Sequence, residues 1–205
     1  MTYQELKEKL KNFTIFSLTD IRKIEPRFYR NRLNEWQNKG YLKKLRRGYY
    51  MFADTPLSEE TLFLTANKLY GPSYVSLEMA LSYHGLIPEG IYSVTSVTSK
   101  KTAKFKTPIG EFSYRSIKPG LLFGYGLAKL DKQTYKLAEI EKAVLDYLYF
   151  HPDLTSQADL EGWRFNAKEF LGQADLVKFD KYLKVYDSPA LVRRAKKFIS
   201  FIKRQ

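Results

Sequence analysis

The amino-acid sequence predicts an α+β fold, with a helical N-terminal part followed by a mixed α/β domain that has a small sheet and a helical C-terminus. Three observations predict it. Residues 26–52 have the pattern of a helix, a glycine stop and a hairpin; residues 92–137 contain strand-like runs; residues 166–203 return to helical spacing. Asp54-Thr55-Pro56 is typical of a boundary, so we expect domains over residues 1–54 and 55–205.

Two helix-start signals open the chain. Thr2 followed by Glu5 is a capping box, in which each side chain accepts from the other residue's backbone N–H, and it predicts a helix over residues 3–12. Ser17 followed by Asp20 repeats the pattern and predicts a second, short helix.

A third helix is expected from Pro26, which suits the first helical position, to Gly40, which suits the stop. At 100° per residue, Tyr29, Leu33 and Trp36 lie on one side, and we expect them in the core. The opposite side carries side chains whose geometry matches guanine and adenine edges in the major groove of DNA. These candidate base-reading residues are Arg27, Asn31, Asn34 and Asn38, with Arg30 at the border of the face.

A basic hairpin is expected after the third helix, because two apolar-aromatic runs, 41–45 and 49–52, flank a glycine-containing turn. Its cations are expected to contact DNA phosphates or the minor groove; the alternative is a charged edge that only prevents aggregation. These residues are Lys43, Lys44, Arg46 and Arg47. A polar-faced helix followed by an arginine-tipped hairpin predicts an N-terminal winged helix-turn-helix DNA-binding domain.

The distribution of charge supports a polyanionic partner. The chain has a net charge of +13. Residues 1–52 hold 13 Lys/Arg and 5 Asp/Glu, a net +8, and residues 188–205 hold 6 Lys/Arg and no acid, while the residues between them sum to −1. Clustered positive charge favours binding to double-stranded DNA. The alternative is a general contribution to solubility.

The second domain is predicted to combine helices with a small sheet. Ser58 and Ser76 are expected to cap two helices. A strand is expected over Tyr92 to Thr98, and a hairpin around Pro108-Ile109-Gly110. The remaining predicted elements are strands at 121–123 and 134–137, a helix at 138–150, a loop at 153–165, and helices at 166–171, 175–186 and 188–203.

The last predicted helix has an apolar stripe and a basic surface beside it. Three interpretations stay open: a core-packing helix with a solvated basic face, a second DNA contact, or an amphipathic helix on a membrane surface. The residues of this possible second basic surface are Arg193, Arg194, Lys196 and Lys197.

A cluster of charged residues near residue 140 can be compared with the sequence signature of a nuclease. Its members are Glu139, Glu141, Lys142 and Asp146. A nuclease strand ends in Glu-x-Lys, and here the spacing fails, so we predict no catalytic residues. We expect these charges to pair along a helix at i, i+3 or i, i+4, or to form a partner surface.

Composition excludes several other classes. The chain has no cysteine, and its two histidines, His84 and His151, are far apart, so we predict no metal site and no cofactor. No apolar run reaches the ~18 residues that a membrane span needs, and the polar start shows no signal peptide. We therefore expect a cytoplasmic protein that does not enter a membrane.

Three segments resemble the AbiEi-type antitoxins of bacterial type IV (abortive infection) toxin–antitoxin systems, in that family's order. They are the hairpin segment 45–50, the segment 74–88, and the pair 107–112 with 138–146. The resemblance covers roughly residues 1–150. It implies a repressor that binds the operator of its own operon, and an antitoxin domain that opposes a nucleotidyltransferase-like toxin with or without binding it directly.

The resemblance also suggests an antitoxin role for the charges within 139–146, which lie in the third segment. Three alternatives stay open: an orphan winged-helix regulator without a toxin partner, an antitoxin that acts only by protein contact, and a DNA-directed nuclease.

Overall fold

The computed structural model describes residues 1–46, 48–88 and 93–204, and over these residues the chain is a mixed α+β protein with two sheets. The α-helices of this part are α1 Tyr3–Lys9, α2 Leu18–Ile24, α3 Asn31–Asn38, α4 Glu59–Leu69, α5 Leu77–Tyr83, α6 Ile140–Phe150, α7 Gln157–Gly162, α8 Ala167–Gln173, α9 Leu176–Val185 and α10 Pro189–Ile202. The strands are β1 Phe16–Ser17, β2 Leu42–Arg46, β3 Tyr49–Phe52, β4 Ser73–Val75, β5 Ser93–Thr98, β6 Ala103–Thr107, β7 Gly110–Ser116, β8 Tyr125–Leu130 and β9 Gln133–Ala138.

The first 52 residues form α1 to α3 and a three-stranded antiparallel sheet in the order β1-β3-β2. Both predicted capping boxes are present, at Thr2 with Glu5 and at Ser17 with Asp20. One face of the sheet and the three helices enclose a small core of mostly aliphatic and aromatic side chains. Its buried members are Leu6, Leu10, Phe16, Ile21, Phe28, Leu33, Trp36, Leu42, Tyr50 and Phe52.

The third helix begins at Asn31, five residues after its predicted start at Pro26. Residues 26–30 form turns and irregular backbone instead, and Phe28 contacts the ring of Trp36 from this segment. The prediction that Tyr29 is a core residue is therefore wrong: Tyr29 is 67% exposed and Phe28 is 5% exposed. A turn changes the phase of burial, so the aromatic residue that enters the core is one position earlier than a continuous helix would place it.

The second sheet has six strands in the order β6-β7-β5-β4-β9-β8, with β4–β9 and β5–β7 parallel and the other pairs antiparallel. The predicted hairpin around Pro108 is present as β6–β7. The predicted strand at 121–123 is wrong, because a 3₁₀ turn over Pro119–Leu121 occupies its start and β8 begins at Tyr125. The first residue of the strand predicted from Tyr92 lies outside the described residues.

Helices α4 and α5 pack on this sheet, α6 packs against α5, and α9 and α10 pack against α6. The predicted loop at 153–165 is partly wrong, because α7 forms within it behind a capping box of Ser156 and Asp159. Six residues are too few to show a helical period in the sequence. Trp163 and Phe165 then carry this segment into the core.

The N-terminal 52 residues and the larger part share buried side chains. Ile15, Leu45 and Met51 belong to the core of the larger part. The amide side chain of Gln133 donates to the carbonyl oxygen of Ile15 at 2.8 Å and accepts from its backbone N–H at 3.1 Å. The division into domains at residue 54 stays a prediction, and these contacts describe how the two parts meet.

Gly124 tests how tightly the segment before β8 is packed. Its φ is +70°, and a Cβ there would lie 3.0 Å from Lys142 Cγ and from Tyr182 Cε2. We expect Gly124→Ala to lower the free energy of unfolding by about 1–3 kcal/mol, measured by urea denaturation. Gly126→Ala is the matched control, because a Cβ there meets nothing within 4 Å. An equal effect of the two substitutions would contradict the packing described here.

Candidate nucleic-acid interface

The exposed side of α3 carries a row of three asparagines. Asn31, Asn34 and Asn38 are all exposed and follow i, i+3, i+7 spacing, which places them on one side of the helix. Leu33 and Trp36 are buried on the other side. The small core therefore holds α3 so that its amide side chains point away from the protein.

Two neighbours shape this asparagine face. The hydroxyl of Tyr29 accepts a hydrogen bond from Nδ2 of Asn31 at 2.8 Å. Glu35 is exposed on the same helix, where it forms a 2.8 Å ion pair with Lys39. The hydrogen bond from Lys39 lowers the pKa of the Glu35 carboxyl, and the pair offsets the one negative charge within α3.

The two predicted arginines of this face lie before the helix rather than within it. Arg27 is exposed in the turn between α2 and α3, and Arg30 is the exposed N-cap residue of α3. Neither is on the helical face that the sequence predicted, because α3 starts later. Both are exposed to solvent and precede the asparagine face in the chain.

The predicted DNA-contacting cations of the β2–β3 hairpin differ in their exposure and contacts. Lys44 is exposed, whereas Lys43 is half-buried and lies opposite Met51, which belongs to the larger core. Arg46 is half-buried, and its guanidinium lies 3.3 Å from the ring centroid of Phe105 on β6. The role predicted for Arg46 at the hairpin tip does not fit, because a cation–π contact holds it against the second sheet. Arg47 lies outside the described residues.

Two of the four residues of the possible second basic surface on α10 donate hydrogen bonds to backbone carbonyls of the protein itself. Nε of Arg194 donates to the carbonyl oxygen of Leu148 at 3.1 Å, and Nζ of Lys197 donates to that of Thr155 at 3.1 Å. Burial lowers the pKa of Arg194. Arg193 and Lys196 are exposed.

A groove of about 660 Å³ runs between α7 and α10, and Lys196, Lys197 and Arg204 are among its lining residues. The four predicted apolar stripe residues, Leu191, Ala195, Phe198 and Ile202, are all buried.

The charge cluster of α6 is largely buried. Lys142 and Asp146 are 0% exposed and Glu141 is 3% exposed. The expected i, i+4 pair forms between Lys142 and Asp146. The predicted partner surface does not fit these three side chains, because buried groups are not available to a partner. Glu139 is the half-buried member at the start of α6.

Lys142 and Asp146 lie in a closed hydrogen-bond network. Nζ of Lys142 donates to Asp146 and to the hydroxyls of Tyr74, at 2.8 Å, and Tyr186, at 2.7 Å. Asp146 also accepts from Tyr74 and Ser76, both at 2.8 Å, and from Tyr186. An ammonium has three donors, and all three are used here. Ser76 is at the N-cap of α5 as predicted, but its hydroxyl donates to Asp146 and makes no cap hydrogen bond.

The network displaces the pKa values of its members in the directions that burial requires. Burial lowers the pKa of Lys142, and the carboxylate of Asp146 opposes that shift. Burial, followed by the charge of Asp146, raises the pKa of Tyr74 and of Tyr186. Each charged group has its counter-charge and its hydrogen bonds, which is the arrangement that buried ions require.

The two glutamates of the cluster pair with α9. Nζ of Lys178 lies 3.1 Å from Glu139 and 3.3 Å from Glu141. Burial opposes the charge of Glu139, but hydrogen bonds from Tyr182 and Lys178 outweigh it and hold the pKa of Glu139 below its ordinary value. Burial and the bond to Glu139 raise the pKa of Tyr182 to about 12. Glu141 also accepts from the backbone N–H of Asp175 at 2.9 Å.

We expect Lys142→Met to lower the free energy of unfolding by about 3–5 kcal/mol, because it leaves the buried carboxylate of Asp146 without its counter-charge. Urea denaturation measures the change. Lys106→Met is the control: its pair with Glu111 is exposed, and such a pair is worth about 0.2–1 kcal/mol. The double variant Lys142→Met/Asp146→Leu should lose less than the two single variants together. A loss no larger than that of Lys106→Met would show that the network is not what holds α6.

Within residues 1–46, 48–88 and 93–204, no three His, Asp or Glu side chains come together in a way that could hold a metal ion. No helix of the same residues is both long and apolar enough to cross a membrane.

The chain matches no protein-family model and no curated protein. The asparagine face of α3 is exposed, and the exposed cations Arg27 and Arg30 precede it in the chain.

Proposed function

We propose that this protein is a transcriptional autorepressor that binds double-stranded DNA through an N-terminal winged helix-turn-helix, and that it serves as the antitoxin of a type IV toxin–antitoxin system. The observation that carries the DNA-binding part is the asparagine face, held outward by the burial of Leu33 and Trp36. The net charge of +8 over residues 1–52 supplies the electrostatic attraction to phosphates.

The order of the N-terminal elements supports the winged-helix assignment. Three short helices are followed by the β2–β3 hairpin, and β1 adds a third strand beside β3. In such domains one helix enters the major groove with its N-terminal residues against the bases. Here that helix is α3, and its first residue is Asn31.

The side chains of α3 favour recognition of adenine. An asparagine amide offers a donor and an acceptor side by side, which is what N7 and the N6 amino group of adenine require. Arg27 and Arg30 suit guanine or a phosphate, and Lys44 suits a phosphate. Arg46 is removed from this set by its contact with Phe105.

The antitoxin part of the proposal rests on the resemblance of the three sequence segments. Tyr74 and Ser76 of the second segment meet Lys142 and Asp146 of the third in the buried network. We infer that these segments maintain the fold of the antitoxin domain, and that any contact with the toxin uses exposed residues elsewhere. An orphan regulator without a toxin partner is the second candidate, because the DNA-binding observations alone are enough for it.

A nuclease is a poor fit to the same residues. A metal-dependent nuclease needs carboxylates that reach both a cation and the phosphate, and Glu141 and Asp146 are buried and already hydrogen-bonded. The carboxylate of Glu139 accepts a hydrogen bond from the hydroxyl of Tyr182 and forms an ion pair with Lys178.

The DNA-binding proposal predicts retardation of the promoter fragment upstream of the protein's own gene in a gel-shift experiment. If Arg27, Arg30 and Lys44 neutralise about three phosphates, log K should fall against log salt with a slope near −2.7. An unrelated fragment of equal length should bind more weakly at each salt concentration. Equal binding to both fragments, or no binding, would contradict an autorepressor.

Two variants separate base reading from phosphate binding in that experiment. Lys44→Ala should weaken binding to every sequence and reduce the salt slope by about 1, whereas Asn34→Ala should cost about 1–3 kcal/mol on the promoter only and keep the slope. An equal loss on both fragments for Asn34→Ala would remove Asn34 from the reading face.

The antitoxin proposal predicts that the protein restores growth when it is co-expressed with a nucleotidyltransferase-like toxin encoded next to its gene. The Asn31→Ala/Asn34→Ala variant should lose promoter binding and still restore growth, because neutralisation is assigned to the C-terminal domain. Lack of rescue by the unaltered protein would leave the orphan regulator as the better proposal.

A further inference from the structure

Tyr29 has an unusual place for an aromatic residue. It is 67% exposed, belongs to neither hydrophobic core, and lies two residues before Asn31. Its hydroxyl accepts the hydrogen bond from Nδ2 of Asn31 at 2.8 Å. The sequence pattern assigned Tyr29 to the core, so its position beside the asparagine face emerges only from the structure.

The hydrogen bond uses one group of the Asn31 amide and leaves the others. An asparagine amide has two N–H donors and one carbonyl acceptor. Tyr29 engages one donor, so one N–H and the Oδ1 oxygen remain for a ligand. These are the two groups that bind N7 and the N6 amino group of adenine.

The bond also limits how the amide can rotate. A free exposed asparagine samples several rotamers, and ordering a side chain on binding costs conformational entropy. A side chain that is already oriented avoids part of that cost. Asn34 and Asn38 also lie on α3 and are exposed, and no side-chain bond to a neighbouring ring hydroxyl is present for them within the described residues.

We propose that Tyr29 is a positioning residue that orients Asn31 to read one adenine in the major groove of the operator. This inference rests on the proposed DNA-binding function and adds to it the base that is read at the N-terminal end of α3. Because the bond lies on the surface between side chains that join neither core, its loss has little effect on the fold. Its effect falls on sequence preference.

The test is a binding profile on promoter fragments in which each base pair is replaced in turn. The proteins are the unaltered chain, Tyr29→Phe, Asn31→Ala and the double variant. The unaltered chain should lose at least about fivefold in affinity when one A·T pair is replaced. Asn31→Ala should abolish that loss, and Tyr29→Phe should reduce it by half or more on a logarithmic scale.

Two further readouts exclude a merely structural role. The double variant should match Asn31→Ala alone, because both substitutions act through one amide. The salt slope should be the same for all four proteins, since no charge changes. Tyr83→Phe is the matched control: it removes an exposed phenol hydroxyl from α5 and should leave the whole profile unchanged.

A Tyr29→Phe profile identical to that of the unaltered chain would overturn the inference and leave the proposed function standing. Additive effects of the two substitutions at different base pairs would also overturn it, because Tyr29 would then act on its own. If the unaltered chain shows no sequence preference on any fragment, the proposed function fails, and the role of Tyr29 fails with it.

Discussion

The larger part of this protein depends on a buried ion pair between Lys142 and Asp146. The two residues lie one turn apart on α6. Their hydrogen-bond partners are Tyr74 within β4, Ser76 directly after β4, and Tyr186 at the end of α9. Burying two charges is costly unless each finds its partner and its hydrogen bonds. Here all three ammonium donors are used, and both carboxylate oxygens accept two bonds each. These hydrogen bonds connect β4, α6 and the end of α9.

The N-terminal part is attached to this body by shared packing rather than by the chain alone. Met51 and Leu45 leave the small sheet on the side opposite its own core and enter the larger core. Gln133 joins β9 to the backbone of Ile15, and Arg46 stacks on Phe105. The hairpin therefore has two roles. It completes the small core with α3, and it orients the asparagine face relative to the second sheet through the contact of Arg46 with Phe105.

Local signals in the sequence predicted much of the fold. Both capping boxes, the caps of α4 and α10, the hairpin of β6 and β7 and the apolar stripe of α10 all follow from residues within a few positions of one another. Features that depend on distant residues could not be predicted in this way. Lys142 and Asp146 could be paired from their spacing, but not with Tyr74 or Tyr186, which are 68 and 44 residues away from Lys142.

The same limit applies to the candidate interface. The asparagines of α3 have the exposure that their helical period predicted, whereas Tyr29 is more exposed and Arg46 less exposed than the sequence pattern predicted. Tyr29 is exposed because a turn before α3 interrupts the helical period. Arg46 is half-buried because its guanidinium packs on the ring of Phe105, 59 residues later in the chain. No local pattern contains either cause.

The proposed function requires DNA to bind against the N-terminal end of α3. Hydroxyl-radical footprinting of the protein by mass spectrometry measures this directly, because tyrosine rings are oxidised in proportion to their exposure. Tyr29 and Tyr83 are both exposed, at 67% and 46%, and lie on different parts of the molecule. On addition of promoter DNA, the oxidation of Tyr29 should fall several-fold while that of Tyr83 stays constant. Unchanged oxidation of Tyr29 on DNA-bound protein, with protection confined to peptides of α10, would contradict DNA binding at α3.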